Sequence, residues 1–327
     1  MGRLRAAAWA ACRRWKLHWP VILIILAVCL AIAARGVPWA EAWSALQDAK
    51  PLWIFAALAV NCSIFPLWAS QWWLLAPVAE RPRWLRMLDI TALVSLSHVF
   101  LPALGTQAMA IGLLTFRGGL SSGASTSVVV ADLMLTGMAR LSVLGVASLV
   151  MPSPPWIRDG ALSLLGVFAV VVVILFTVVH GTTGIRRYVD RRPGRIARLA
   201  TKICDGARHL DVLRSRVRMS VGYLYAIGKI SCDVLAALAV QHACDITLPP
   251  ESAILVIAAL SLATLLRTPG NLGVYEATVL IIYQSLGVPT ATALAASVLQ
   301  HFVALLPTLS IGLIAFATRR PMLSRPR

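Results

Sequence analysis

Apolar residues run along this chain in long blocks, at 20–34, 52–75, 87–116, 124–150, 161–179, 220–243, 252–286 and 291–317. The blocks are too long and too uniform to be core helices around a soluble centre, and most suit the roughly 20 residues that a helix needs to cross a bilayer. The pattern predicts an all-α polytopic membrane protein.

Two blocks do not fit a single crossing. Segments 87–116 and 252–286 hold 30 and 35 residues, between one span and a two-helix hairpin of roughly 40. Each carries helix breakers near its middle: Pro102 and Gly105 in the first, Thr268-Pro269-Gly270-Asn271-Leu272-Gly273 in the second. Each is one long broken span or a re-entrant hairpin. Positive charge discriminates, because cytoplasmic loops collect Lys and Arg. If both segments cross, the loops divide 13 inside to 14 outside; if both are re-entrant, they divide 24 to 3. About six full spans and two oppositely oriented re-entrant hairpins are therefore expected, with both termini cytoplasmic.

Non-helical backbone at membrane depth survives only inside protein or beside a polar cavity, and two such segments of opposite hand are a transporter pattern. A weak internal repeat agrees: aligning Gly105 with Gly273, an offset of 168, also aligns Gly119 with Gly287. The expected organisation is one transmembrane domain, 1–327. An inverted repeat would divide it into 1–160, with hairpin 87–116, and 161–327, with hairpin 252–286; a basic cytoplasmic loop spans 180–219.

Composition sharpens the picture. Hydrophobic residues make up 59% and charged residues 13%, with mean hydropathy +0.79. The net charge of +17 would suggest nucleic acid in a soluble protein. Here the 30 Lys and Arg sit mainly between spans, as topology determinants and contacts for anionic lipid, so no nucleic-acid partner is expected. The 180–219 loop reads as a helix on the anionic leaflet. The N-terminal block imitates a signal peptide but reads as an uncleaved first helix. Six cysteines without a CxxC pair read as small apolar residues, without disulfide or metal. Most of the Trp flank span ends, as interfacial belts do.

Ionisable groups inside a bilayer are costly, so each is a candidate. The second hairpin has the densest set: Arg267, Asn271, Tyr275 and Glu276 around its break. A helix over 274–286 would begin at mid-membrane with its positive end toward a phosphate or carboxylate, and Arg267 could add a bidentate contact. The alternative is a structural Arg267–Glu276 pair. Lys229 and Asp233, four apart, share a helix face as a neutralised pair or a substrate or proton site. Asp132 and Arg140 share a face two turns apart, too far to pair, and should face the bundle. His98 and His301 could carry protons, bind a head group, or serve as neutral hydrogen-bonding groups. No nucleotide, metalloprotease or hydrolase motif is present, so no cofactor, metal or catalytic residue is expected.

The stretch from Arg267 resembles the signature of the lysylphosphatidylglycerol synthase transmembrane (flippase-like) family. The signature, Pro-Gly-x-Leu-Gly-Val-x-Glu followed by Leu-Gly-Val, falls on Pro269, Gly270, Leu272, Gly273, Val274 and Glu276, then Leu286, Gly287 and Val288. In the first half, Pro102 and Gly105 remain, Thr106 and Gln107 stand where the family carries an acid, and Asp132 lacks its accompanying Arg. The resemblance implies lipid handling. The aminoacyltransferase module of the named relative is expected to be missing, because the chain ends at Arg327 directly after its last span.

The reading is a lipid translocase of the bacterial inner membrane, moving a phospholipid, hopanoid or lipid-linked sugar, and a transporter rather than an enzyme. Its partner would be a membrane lipid with an anionic or sugar-bearing head group, besides lipid-biosynthesis enzymes. The expected substrate site gathers Arg267, Pro269, Gly270, Asn271, Gly273, Tyr275, Glu276, His98, Gly105, Gln107, Asp132, Lys229, Asp233 and His301. The rivals are a transferase accessory acting on a lipid carrier and a secondary transporter of small anions.

Overall fold

The computed structural model describes residues 39–101, 103–150, 215–264 and 269–318, with scattered positions within 159–170. The described residues are helical, with no strand among them. Their helices are α1 (Trp39–Gln47), α2 (Pro51–Cys62), α3 (Ile64–Leu75), α4 (Trp84–Phe100), α5 (Ala103–Phe116), α6 (Ser122–Val150), α7 (Arg216–Ala243), α8 (Glu251–Ala263), α9 (Val274–Ser285) and α10 (Thr290–Ala317).

Among the described residues, four helices are long and apolar enough to cross a membrane: Pro51–Leu75, which joins α2 to α3, then α6, α7 and α10. Pro66 explains the interruption of the first. It removes the N–H that would bond the Cys62 carbonyl, and the helix breaks at Ser63. The expected span 20–34 lies outside the described residues, as do most of 161–179 and of the 180–219 loop. At the end of that loop, Ser215 caps α7 by accepting from the Arg218 N–H.

The two anomalous segments are pairs of short helices. α4 and α5 have 17 and 14 residues, α8 and α9 have 13 and 12. At about 1.5 Å per residue they reach about 18–26 Å, short of a hydrocarbon core of about 30 Å. Within each pair the helices pack against one another. Gly105, expected at the first break, lies inside α5, and the break falls between Phe100 and Ala103.

Contacts between connections define two ends of the bundle. At one end, Ser121 after α5 donates its N–H and hydroxyl to the carboxylate of Glu80 before α4, at 2.6 and 3.2 Å. Arg81, bonded to the carbonyls of Leu74 and Ala76, lies there too. Burial, and then the positive charge of Arg218 in the first turn of α7, pulls its guanidinium below the ordinary range. At the other end, Lys50 before α2 donates its N–H to the Ala243 carbonyl and its ammonium to Asp245, while Trp53 stacks on His242. Tyr283, near the end of α9, lies near Gln241 and Cys244 at the end of α7, and its hydroxyl donates to Gln300 at 3.4 Å.

The packing also repeats. α3 and α7 end at Leu75 and Ala243, and α6 and α10 start at Ser122 and Thr290, both 168 residues apart. Gly119 and Gly287, at the same offset, turn the chain into α6 and α10 with φ of 77° and 85°, a left-handed backbone that favours glycine. α4 packs on α10, and α8, its counterpart, packs on α6.

The α4–α10 contact is close. A Cβ added to Gly312 would lie 2.7 Å from Leu96 Cβ and 3.1 Å from the Ala92 oxygen, whereas one at Gly112 on α5 would meet nothing within 4 Å. Gly312→Ala should therefore cost about 1–3 kcal/mol through forced separation. Gly112→Ala should be neutral or stabilising by up to about 1 kcal/mol. Thermal unfolding in detergent measures both; a Gly312→Ala midpoint at or above wild type would remove the close-packing claim.

Candidate functional site

Among helices α2 to α10 lies a cavity of about 300 Å³, lined by Asn61, Trp68, Trp72, His98, Gln107, Asp132, Thr136, Arg140, Lys229, Asp233, Ser261, Thr264, Tyr275 and Gln300 among apolar neighbours. A second cavity of about 230 Å³ shares Trp68, His98 and Tyr275 with it and reaches Gly270, Asn271, His301 and Thr308. Together they run from the middle of the long helices to the break in the second helix pair.

Four charges line the larger cavity. Asp132 and Arg140 come from α6, Lys229 and Asp233 from α7, and Asp132 and Lys229 fall near the middles of helices of 29 and 28 residues. The spacing Lys229–Asp233 suggested an intrahelical pair; the geometry corrects it. Lys229 donates to Asp132 across the α6–α7 contact at 3.2 Å, with both side chains only about an eighth exposed. Its ammonium also lies 5.5 Å from the Trp68 ring centroid, a cation–π arrangement. Asp233 is left in the combined positive field of Arg140 and Lys229. Two acids thus balance two bases, which lets all four stay at membrane depth.

The break in the second pair is built by three left-handed residues: Gly270, Asn271 and Gly273 have φ of 62°, 54° and 80°. Asn tolerates this conformation and glycine favours it. The chain then passes through the 3-10 turn Pro269–Asn271 and starts α9 at Val274. The N-terminus of α9, expected to face a phosphate, holds a carboxylate of its own: Glu276 Oε2 accepts the Gly273 N–H at 2.7 Å. The other oxygen, Oε1, lies 2.6 Å from His301 Nδ1, and His301 Nε2 lies 3.0 Å from the Gly270 carbonyl oxygen. Tyr275 stacks on the His301 ring at 4.5 Å between centroids. One histidine of α10 therefore ties together both sides of the break.

Of the residues singled out by sequence, the cavities bring together His98, Gln107, Asp132, Lys229, Asp233, Gly270, Asn271, Tyr275 and His301. Glu276 and Gly273 join through His301 and the cap. Gly105 does not line either cavity. Arg267 and the Pro269 side chain lie outside the described residues, so the Arg267–Glu276 pair does too. Sequence reasoning placed Arg140 on the bundle side without assigning it to the site; its shared face with Asp132 was the signal. Trp68, Trp72, Asn61 and Gln300 gave no signal, because they look like ordinary span residues.

The pairing has a measurable consequence. Lys229→Met strands Asp132 and should cost about 3–5 kcal/mol, while Lys229→Met with Asp132→Leu should recover most of it. A double-mutant cycle in detergent should give Lys229–Asp132 a coupling at least about 1 kcal/mol larger than Lys229–Asp233. Equal couplings, or a larger one with Asp233, would refute the assignment.

The chain is a multi-pass membrane protein, with the apolar helices to cross a bilayer several times. No curated protein and no solved structure is similar enough to it to count as a match. Residues 20–312, nearly its whole length, match the model of the family described as Lysylphosphatidylglycerol synthase TM region, and the chain belongs to that family.

Proposed function

We propose that this protein is a lipid translocase of the bacterial inner membrane, taking the head group of a phospholipid, hopanoid or lipid-linked sugar through the internal cavity while the tails stay in lipid. The observation that carries this reading is the cavity itself: four balancing charges and a set of amides, hydroxyls and aromatic rings at mid-membrane depth. Such groups are costly there unless they serve a polar passenger. A balanced wall suits a head group with both hydrogen-bonding and charged parts better than a bare anion. Family membership supports a lipid-related role.

The transport path follows from treating both short pairs as re-entrant hairpins. The Glu80–Ser121 bonds support a first hairpin, α4–α5, whose two ends lie on one side. Tyr283 near Gln241 and Cys244 supports a second, α8–α9, with both ends on the opposite side. The 168-residue recurrence of helix ends and of left-handed Gly119 and Gly287 supports an inverted repeat. One half rocking against the other would then expose the cavity alternately to the two leaflets. The basic 180–219 loop and both termini are cytoplasmic in this arrangement. Arg267, beside the break in sequence, meets the lipid phosphate.

Purified protein in liposomes tests the reading directly. A fluorescently tagged phospholipid should move between leaflets without any donor substrate, and Arg267→Gln should lower the rate about tenfold or more while Arg267→Lys keeps part of it. Product formation that requires an aminoacyl or glycosyl donor, with no lipid movement, would favour a transferase accessory instead. In a cysteine-free background, cysteines at Arg117 and Ser285 should label from opposite sides; labelling of both from one side would remove the inverted hairpins.

A further inference from the structure

His301 faces acceptors with both ring nitrogens. A carbonyl oxygen only accepts, so the contact with Gly270 places a proton on Nε2. A neutral imidazole then has a bare lone pair at Nδ1, facing a carboxylate oxygen 2.6 Å away. Two lone pairs at that distance repel. A second proton must sit between them, on Nδ1 of an imidazolium or on Oε1 of a neutral Glu276. In both forms the pair is electrically neutral and holds one proton more than a neutral histidine beside an ionised glutamate. That neutrality suits a ring that is 3% exposed.

We propose that the His301–Glu276 pair is a proton-binding site that couples proton movement to the rearrangement of the second hairpin. It rests on the translocase reading for the cargo, not for the proton. With the proton bound, one contact chain runs from the Gly270 carbonyl through His301 and Glu276 to the Gly273 N–H, closing the break from both sides. When the proton leaves, the pair becomes a half-buried anion whose lone pairs repel, and His301 must give up either Glu276 or Gly270. Either choice opens the contact chain that joins Gly270 to Gly273. The proton departs into the smaller cavity, which His301 lines with His98 and Asn271.

The surroundings define what else titrates or carries charge near the pair. On α9 these are Glu276 itself and Tyr275, stacked on the ring. From α4 comes His98, whose Nδ1 lies 3.0 Å from the Val94 carbonyl and which lines the same cavity. From α7 come Lys229 and Asp233, with Asp132 and Arg140 of α6 beyond them, all in the adjoining cavity. The turn Pro269–Asn271 contributes a carbonyl and no ionisable side chain. On the α1 side, Glu41 and Asp48 are exposed.

Two measurements test the proposal. In lipid nanodiscs without cargo, nitrogen NMR of histidine-labelled protein, with His301 identified by its loss in His301→Gln, should show both ring nitrogens protonated near neutral pH. A singly protonated His301 supports the proposal equally if infrared spectra show a protonated carboxyl band that Glu276→Gln removes. A singly protonated His301 beside an ionised Glu276 overturns it. In vesicles of phosphatidylethanolamine and phosphatidylglycerol with a tagged phosphatidylglycerol and an internal pH dye, an imposed pH gradient should change the tagged-lipid rate ~5-fold or more. The dye should report matching proton flux, and both effects should vanish in Glu276→Gln. Lipid movement insensitive to the gradient and without proton flux overturns the coupling and leaves the translocase reading intact. If no lipid moves, the translocase reading fails, and the spectra alone decide whether the pair holds a proton.

Discussion

A helix cannot stop inside a membrane unless something takes up the hydrogen-bonding groups that its end exposes. In water those groups bond to solvent; in hydrocarbon each costs several kcal/mol if left alone. In the proposed hairpin the start of α9 would meet this constraint with a three-residue reach, the Glu276 carboxylate on the Gly273 N–H. That carboxylate is itself an expense at such depth, and His301 offsets it while reaching the carbonyl of Gly270 on the far side of the turn. Backbone, acid and imidazole therefore form one satisfied unit. The left-handed turn, the position of α9 and the shape of the smaller cavity all depend on it.

The larger cavity obeys the same rule with side chains only. Asp132, Arg140, Lys229 and Asp233 could not each be present alone, since an unpaired charge would be driven to neutralise or to pull its helix out of register. Spread over two facing helices, they neutralise one another while leaving a polar wall. Trp68 adds a ring face to the Lys229 ammonium.

Four of the expected spans and the two breaks were legible in the sequence because they depend on length, Pro and Gly, which act locally. The second break was placed at its Pro-Gly-Asn-Leu-Gly run, and the left-handed angles of Gly270, Asn271 and Gly273 explain why that run breaks a helix. Gly105 misled, because a glycine within a helix does not end it when the Pro stands three residues earlier. Partner choice was less legible. Lys229 has an acid four residues away on its own helix, yet bonds to Asp132, ninety-seven residues away in sequence. Which neighbour wins depends on how α6 and α7 are rotated about their axes. In a membrane both the buried and the lipid-facing sides of a helix are apolar, so hydrophobic patterning carries little information about that rotation. Glu276 and His301, twenty-five residues apart, were each singled out, but their union was not foreseen for the same reason.

The 168-residue recurrence joins two pieces of similar outline and dissimilar chemistry. Gly119 and Gly287 turn alike, yet the helix pair leading to Gly287 contains an acid tied to a histidine, and the pair leading to Gly119 has Ala108 at the position 168 residues before Glu276. If the two pieces were chemically equal, exchanging their conformations would give a mirror arrangement of the same free energy. Their inequality lifts that degeneracy. In the proposed translocase, matched shapes with unmatched charges would set a resting preference for one orientation and make the device a rectifier rather than a symmetric seesaw.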